Sequence, residues 1–246
     1  EREDGSGGNL ARLGHTLPLD EVGSTAYKSR NHELGFAFKG GDHLVEAKIG
    51  LQDIPYELWP NQRMDMLKNE QKRVNLRYQG AFDWGALEAR VYREKVEHFM
   101  DFGADKRYWY GNGAPPAGSG GPGALNGTPC TPVGAAACAA GMPMNTESTN
   151  TGISLKGDIK LSGEDLIRVG AELQRYQLDD WWPASGGGMA PNTFWNINNG
   201  ERDRKAVFGE WEGRLAPQWL TVAGVRFERV NTDAGPVQAY NNAMAP

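Results

Sequence analysis

The sequence predicts an all-β fold: a transmembrane up-and-down antiparallel β-barrel, with about eight strands of a larger barrel present. Three observations predict it. Apolar and polar residues alternate with period two, the alternating runs reach about ten residues or more, and tight turns at one end face long loops at the other.

The alternation is clearest in "GISLKGDIKL" (152–161), where Ile153, Leu155, Ile159 and Leu161 share one face and Ser154, Lys156, Asp158 and Lys160 the other. The next run repeats it, with Ile167, Val169, Ala171 and Leu173 against Arg168, Glu172 and Gln174. Val74, Leu76 and Tyr78 likewise oppose Arg73, Asn75, Arg77 and Gln79, and Val45, Ala47, Ile49 and Leu51 oppose Glu46, Lys48 and Gln52. These patterns place strands near 25–39, 43–53, 70–79, 86–100, 151–161, 166–178, 203–214 and 219–230.

Tight turns fall at "GGD" (40–42), "GAFDWG" (80–85), "SGED" (162–165) and "APQ" (216–218). Long polar or glycine-rich connections fill 54–69, about 101–150 and 179–202. A soluble β-sandwich also alternates, but ordinary globular strands average only about five or six residues. The second face also carries Glu, Lys and Arg from strand to strand, as a wet lumen requires, and Trp59, Trp84, Trp181, Trp182 and Trp219 suit interfacial girdles. Residues 1–246 then form one outer-membrane barrel segment, beginning within a loop and ending in "AYNNAMAP" without a closing strand.

The formal net charge of −5 and the lack of a basic cluster argue against a nucleic-acid partner. No G-x-S-x-G, H-E-x-x-H or P-loop occurs, and "GSGGPG" (118–123) reads as a flexible loop, so no enzyme is expected. His15, His32 and His43 lack Cys or His at zinc spacing and read as surface or strand residues.

His98 and Met100, in "KVEHFMDF" (95–102), share the parity of Glu88, Arg90 and Glu94 and so face the lumen at the loop-side mouth. Imidazole nitrogen and thioether sulfur form a soft donor pair that suits copper and suits calcium or magnesium poorly. Spacing alone does not separate a ligand pair from two ordinary strand residues. Cys130 and Cys138 lie in one loop and read as a disulfide, although Cys138 and Met142 also have Cys-x-x-x-Met spacing. Met64/Met66 and Met142/Met144 form further Met-x-Met pairs in expected loops, either weak copper relay sites or methionines without a role.

The stretches "LQDIPYELWPNQRMDMLKNEQKRVNLRYQG", "VYREKVEHFMDFG" and "FGEWEGRLAPQWLTVAGVRFERV" resemble the barrel of TonB-dependent outer-membrane receptors, in the copper-receptor branch. The resemblance runs over nearly the whole chain. It implies a barrel of about 22 strands around an N-terminal plug domain. It further implies copper held by a Cys-x-x-x-Met pair from the plug and a His-x-Met pair from the barrel, the latter matching His98 and Met100. Implied with it are copper capture and import, Cu(I) favoured over Cu(II), location in outer-membrane lipid and energy from the TonB complex through the plug, which this chain lacks. A receptor of the same architecture for a siderophore or other metal complex, a passive porin and a soluble β-rich metal-binding protein are the rivals.

Overall fold

Alternating side chains hold each segment extended, and the described residues (24–60, 64–102, 143–183 and 193–236 of this computed structural model) form eight strands. They are β1 (Tyr27–Gly40), β2 (His43–Glu57), β3 (Met64–Phe82), β4 (Gly85–Phe102), β5 (Met144–Lys160), β6 (Asp165–Trp182), β7 (Phe194–Ala216) and β8 (Trp219–Asp233). The strands lie in one sheet in chain order, every neighbour antiparallel. No helix occurs among the described residues. All-β, up-and-down topology is therefore established, with strands of 14 to 23 residues. Short turns close one end, and the β1–β2 turn places Gly41 at φ 57°, where a side chain would be strained.

The sheet is a single layer, so its apolar face has no protein to cover it. Val74, Ile153, Leu155, Val169 and Leu173 are each 40–53% exposed. On a face this long and uniformly apolar, the covering medium is the hydrocarbon of a bilayer.

The upper edge of that band reveals the tilt. The last apolar residue before charge is Leu51 on β2, followed on its face by Asp53, and Phe227 on β8, followed by Arg229. Register carries Phe227 back through Val207, Ala171, Leu155, Ala89 and Tyr78 to Val45, six positions from Leu51 across six strand steps. One residue per step, about 3.3 Å along for about 4.8 Å across, is a strand tilt of about 35°. About nine residues from His43 to Leu51 then rise about 24 Å, the height of an outer-membrane apolar band.

Above the band the same face turns charged. Arg175 pairs with Asp203 (3.1 Å) and Glu201 (3.3 Å), and Glu97 accepts from Lys95 (2.8 Å) and Lys68 (2.9 Å). Those two ammonium groups hold the Glu97 carboxyl down to about 2. Inside, charge runs from strand to strand: Arg77 bridges Glu46 (3.2 Å) and Glu88 (2.6 Å), and Glu172 joins Arg204 (3.3 Å) to Arg226 (2.8 Å). These lumenal ladders satisfy groups that could not face lipid.

Several boundaries differ from the sequence expectation. β3 begins at Met64 rather than 70, β5 at Met144 rather than 151 and β7 at Phe194 rather than 203, so the long loop falls between Phe102 and Met144, not 101–150. Above the bilayer both faces are wet, and "MNTESTN" loses its alternation while keeping its ladder hydrogen bonds. Met64, Met66 and Met144 are consequently strand residues rather than loop residues. The tryptophans also divide. Trp84 and Trp219 lie exposed at the short turns, flanking the band. Trp181 stacks on Trp195 (5.5 Å) and Trp182 meets Phe194 edge-on (5.9 Å), eight positions past Leu173 and so about 20 Å above the band. That pair pins β6 to β7 rather than forming a girdle.

Candidate metal centre

β4 carries the expected pair. Its pairing with β5 runs unbroken from Gly85↔Ile159 to Met100↔Met144, so no bulge disturbs β4 between Glu88 and Met100. His98 and Met100 therefore project from the lumenal face, neighbours on that face about 7 Å apart along the strand. His98 lies seven positions past Val91, the top of the apolar band on β4, and so well outside the bilayer.

His98 is half-buried between Asn69 of β3 and Thr146 of β5, its direct cross-strand partners. Its Nδ1 lies 3.2 Å from Asn69 Oδ1. A carboxamide oxygen only accepts, so Nδ1 is the protonated nitrogen and Nε2 keeps its lone pair. The Asn69 amide is oriented in turn. Its nitrogen donates to Gln52 (3.2 Å), Gln52 donates to Asn31 (2.8 Å), and Asn31 donates to Ser29 (3.0 Å). Four strands thus hold one imidazole in one tautomer, as metal-binding histidines usually require. Burial pushes the imidazole pKa down, and the Asp180 carboxylate pulls the other way. The net effect favours the neutral, ligating form near neutral pH.

The structure also brings Met66 and Met144, methionines of the Met-x-Met pairs expected in loops, into register with Met100. Met66, Met100 and Met144 are direct partners across β3, β4 and β5. Continuous alternation from Asn69 would aim Met66 at the outer face beside Lys68. Instead β3 carries one extra residue, Leu67, between Met66 and Lys68, and this bulge turns Met66 to the lumen opposite Met100. β2 carries a matching extra residue between Asp53 and Tyr56, so Glu57 turns with Met66 and remains its partner. The Met-x-Met spacing of Met64/Met66 and Met142/Met144 singles these methionines out in the sequence, but not their facing. Bulges leave no period.

Among the described residues, no three His, Cys, Asp or Glu side chains converge into a metal site. Register instead sets one imidazole and three methionines at adjacent positions on one face, a soft set of residue types. Cys130, Cys138 and Met142 lie outside the described residues.

Comparison with known proteins agrees with this architecture. The family model for "TonB dependent receptor-like, beta-barrel" matches residues 7–245. A solved structure titled "Copper transporter OprC" superposes with a TM-score of 0.63 at 16% identity, covering 94% of this chain and 31% of that one. At that identity the likeness establishes the fold, and the chain spans about a third of the length of that protein. No curated protein matches the chain. A single-layer, tilted, up-and-down sheet with a lipid face and a charged lumen, matched over nearly all its length, places the chain in the TonB-dependent receptor-like β-barrel family.

Proposed function

We propose that the chain is the barrel portion of an outer-membrane receptor that captures copper at the cell surface and imports it. The observation that carries this reading is the lumenal His98/Met100 pair, with His98 Nδ1 occupied by Asn69 and Nε2 left as a donor beside a thioether. In this reading residues 1–246 are one barrel segment, and the remaining ligands come from a plug domain as the resemblance implies. Cu(I) is the favoured cargo and Cu(II) the lesser one, since neutral soft donors stabilise a monovalent soft ion. Transport rather than catalysis is the task, and the energy arrives from the TonB complex acting on the plug. The likeness to a structure titled as a copper transporter supports the reading at the level of fold.

Metal analysis of the intact receptor tests it. The wild type should bind copper stoichiometrically, and His98→Ala/Met100→Ala should abolish high-affinity binding while the barrel stays folded. Copper kept at full stoichiometry and affinity in that variant would reduce the pair to ordinary strand residues and favour a receptor for another cargo. Cys130 and Cys138 are proposed to form a loop disulfide. Thiol labelling before and after reduction tests it, with label expected only after reduction.

A further inference from the structure

We infer that Met66, Met100 and Met144, together with His98, form a four-donor site on the barrel wall for a soft monovalent metal ion. The inference rests on the copper reading and extends it from one strand to three. Direct antiparallel partners stand about 4.5–5.5 Å apart at Cα. Three methionines in one row therefore place three thioethers within mutual reach, and three rotatable bonds in each side chain allow the sulfurs to close on one ion. His98 lies one position down the same face from Met100, with its lone pair on Nε2 and its other nitrogen tied to Asn69.

These positions lie above the bilayer, with Asn69, His98 and Thr146 below, Glu57 beside Met66 and, by the β5–β6 register, Trp182 beside Met144. Met66 is buried (6% exposed) even so. Four of the seven methionines of the chain, Met64 included, stand on these three adjacent strand ends. The backbone also departs from regular pairing on β3 at the point that brings Met66 into the row. Thioethers and a neutral imidazole supply no negative charge, so the set favours a +1 ion over a +2 ion. The Glu57 carboxylate next in the row balances that single charge from outside the donor set.

The test uses the intact receptor and Ag(I), a monovalent soft ion that does not change oxidation state, with Cu(I) under reductant and Cu(II) alongside. Leucine matches methionine in volume and lacks the sulfur. Met66→Leu/Met144→Leu should weaken Ag(I) and Cu(I) at least tenfold, leave Cu(II) within about threefold, and remove sulfur scatterers from the X-ray absorption of bound Ag(I). Met144→Leu alone, at a half-buried position, gives the same direction with less demand on folding. If Ag(I) affinity and sulfur count are unchanged in the Leu variants while His98→Ala/Met100→Ala loses copper, the four-donor site is wrong and the proposed function stands. If neither pair matters, both fall.

Discussion

Asn69 and His98, direct partners across β3 and β4, are joined through Asn69 Oδ1 and His98 Nδ1 at 3.2 Å. The bond decides which nitrogen can bind a metal. It also makes Asn69 a positioning residue, since it acts through the imidazole and not on the ion.

Removing that acceptor frees the ring to rotate and to exchange tautomers. Asn69→Leu should therefore weaken copper binding by about 10- to 100-fold, the usual effect of losing such a partner. Asn69→Asp, whose carboxylate still accepts from Nδ1–H, should restore most of it. Isothermal titration of the intact receptor measures both, and equal loss in the two variants would show that Asn69 has only a packing role.

The two faces of the sheet should respond differently to charge. Val169 lies mid-band on the lipid face of β6, and Ser154 lies on the lumenal face of β5. Val169→Arg should cost about 2–4 kcal/mol, because the guanidinium meets hydrocarbon. Ser154→Arg should cost less than about 1 kcal/mol, because water and Glu172, its partner on β6, receive it although Arg90 lies opposite on β4. Urea unfolding in lipid vesicles gives both values, and similar costs would contradict the assignment of faces.

The lumenal ladder makes a third case. Arg77 holds Glu46 and Glu88 together, each carboxylate accepting from one guanidinium. Arg77→Leu leaves two carboxylates near each other without their shared cation. It should destabilise the barrel by about 0.5–1 kcal/mol, since these side chains are partly solvated, and Glu88→Gln added to it should recover part of the loss by removing one charge. A double variant no more stable than Arg77→Leu would mean that the ladder is solvated rather than structural.

Strand existence, order and facing were legible because the bilayer forces a strict apolar alternation on one side. Leu155 and Leu173 could point nowhere else. Where the strands leave the bilayer that constraint ends, so the extensions at 64–69, 144–150 and 194–202 carried no periodic signal and read as loops. The lumenal facing of His98 and Met100 was legible, since β4 keeps its parity to the end. That of Met66 was not, since it depends on the extra residue at Leu67. The Asn31–Gln52–Asn69 relay was invisible for a different reason: it joins residues whose proximity exists only through register.

Tyr92 and Gly152 offer the sharpest test of that register. They are direct partners across β4 and β5, and the Tyr92 ring lies over the glycine. A Cβ at Gly152 would collide with the ring. From there the Tyr92 hydroxyl reaches β6, accepting from Gln174 at 3.3 Å, while the Arg90 guanidinium sits 5.2 Å from the ring centroid. Gly152→Ala must push the ring aside and break the Gln174 bond, at a cost of about 1–3 kcal/mol from overpacking. With Tyr92→Ser in place there is no ring to displace, and the same change should cost less than about 0.5 kcal/mol. A double-mutant cycle on urea midpoints should therefore show coupling above about 1 kcal/mol. Additive losses would mean that the ring does not lie over Gly152 in the membrane-bound protein, and the β4–β5 register would need to be redrawn.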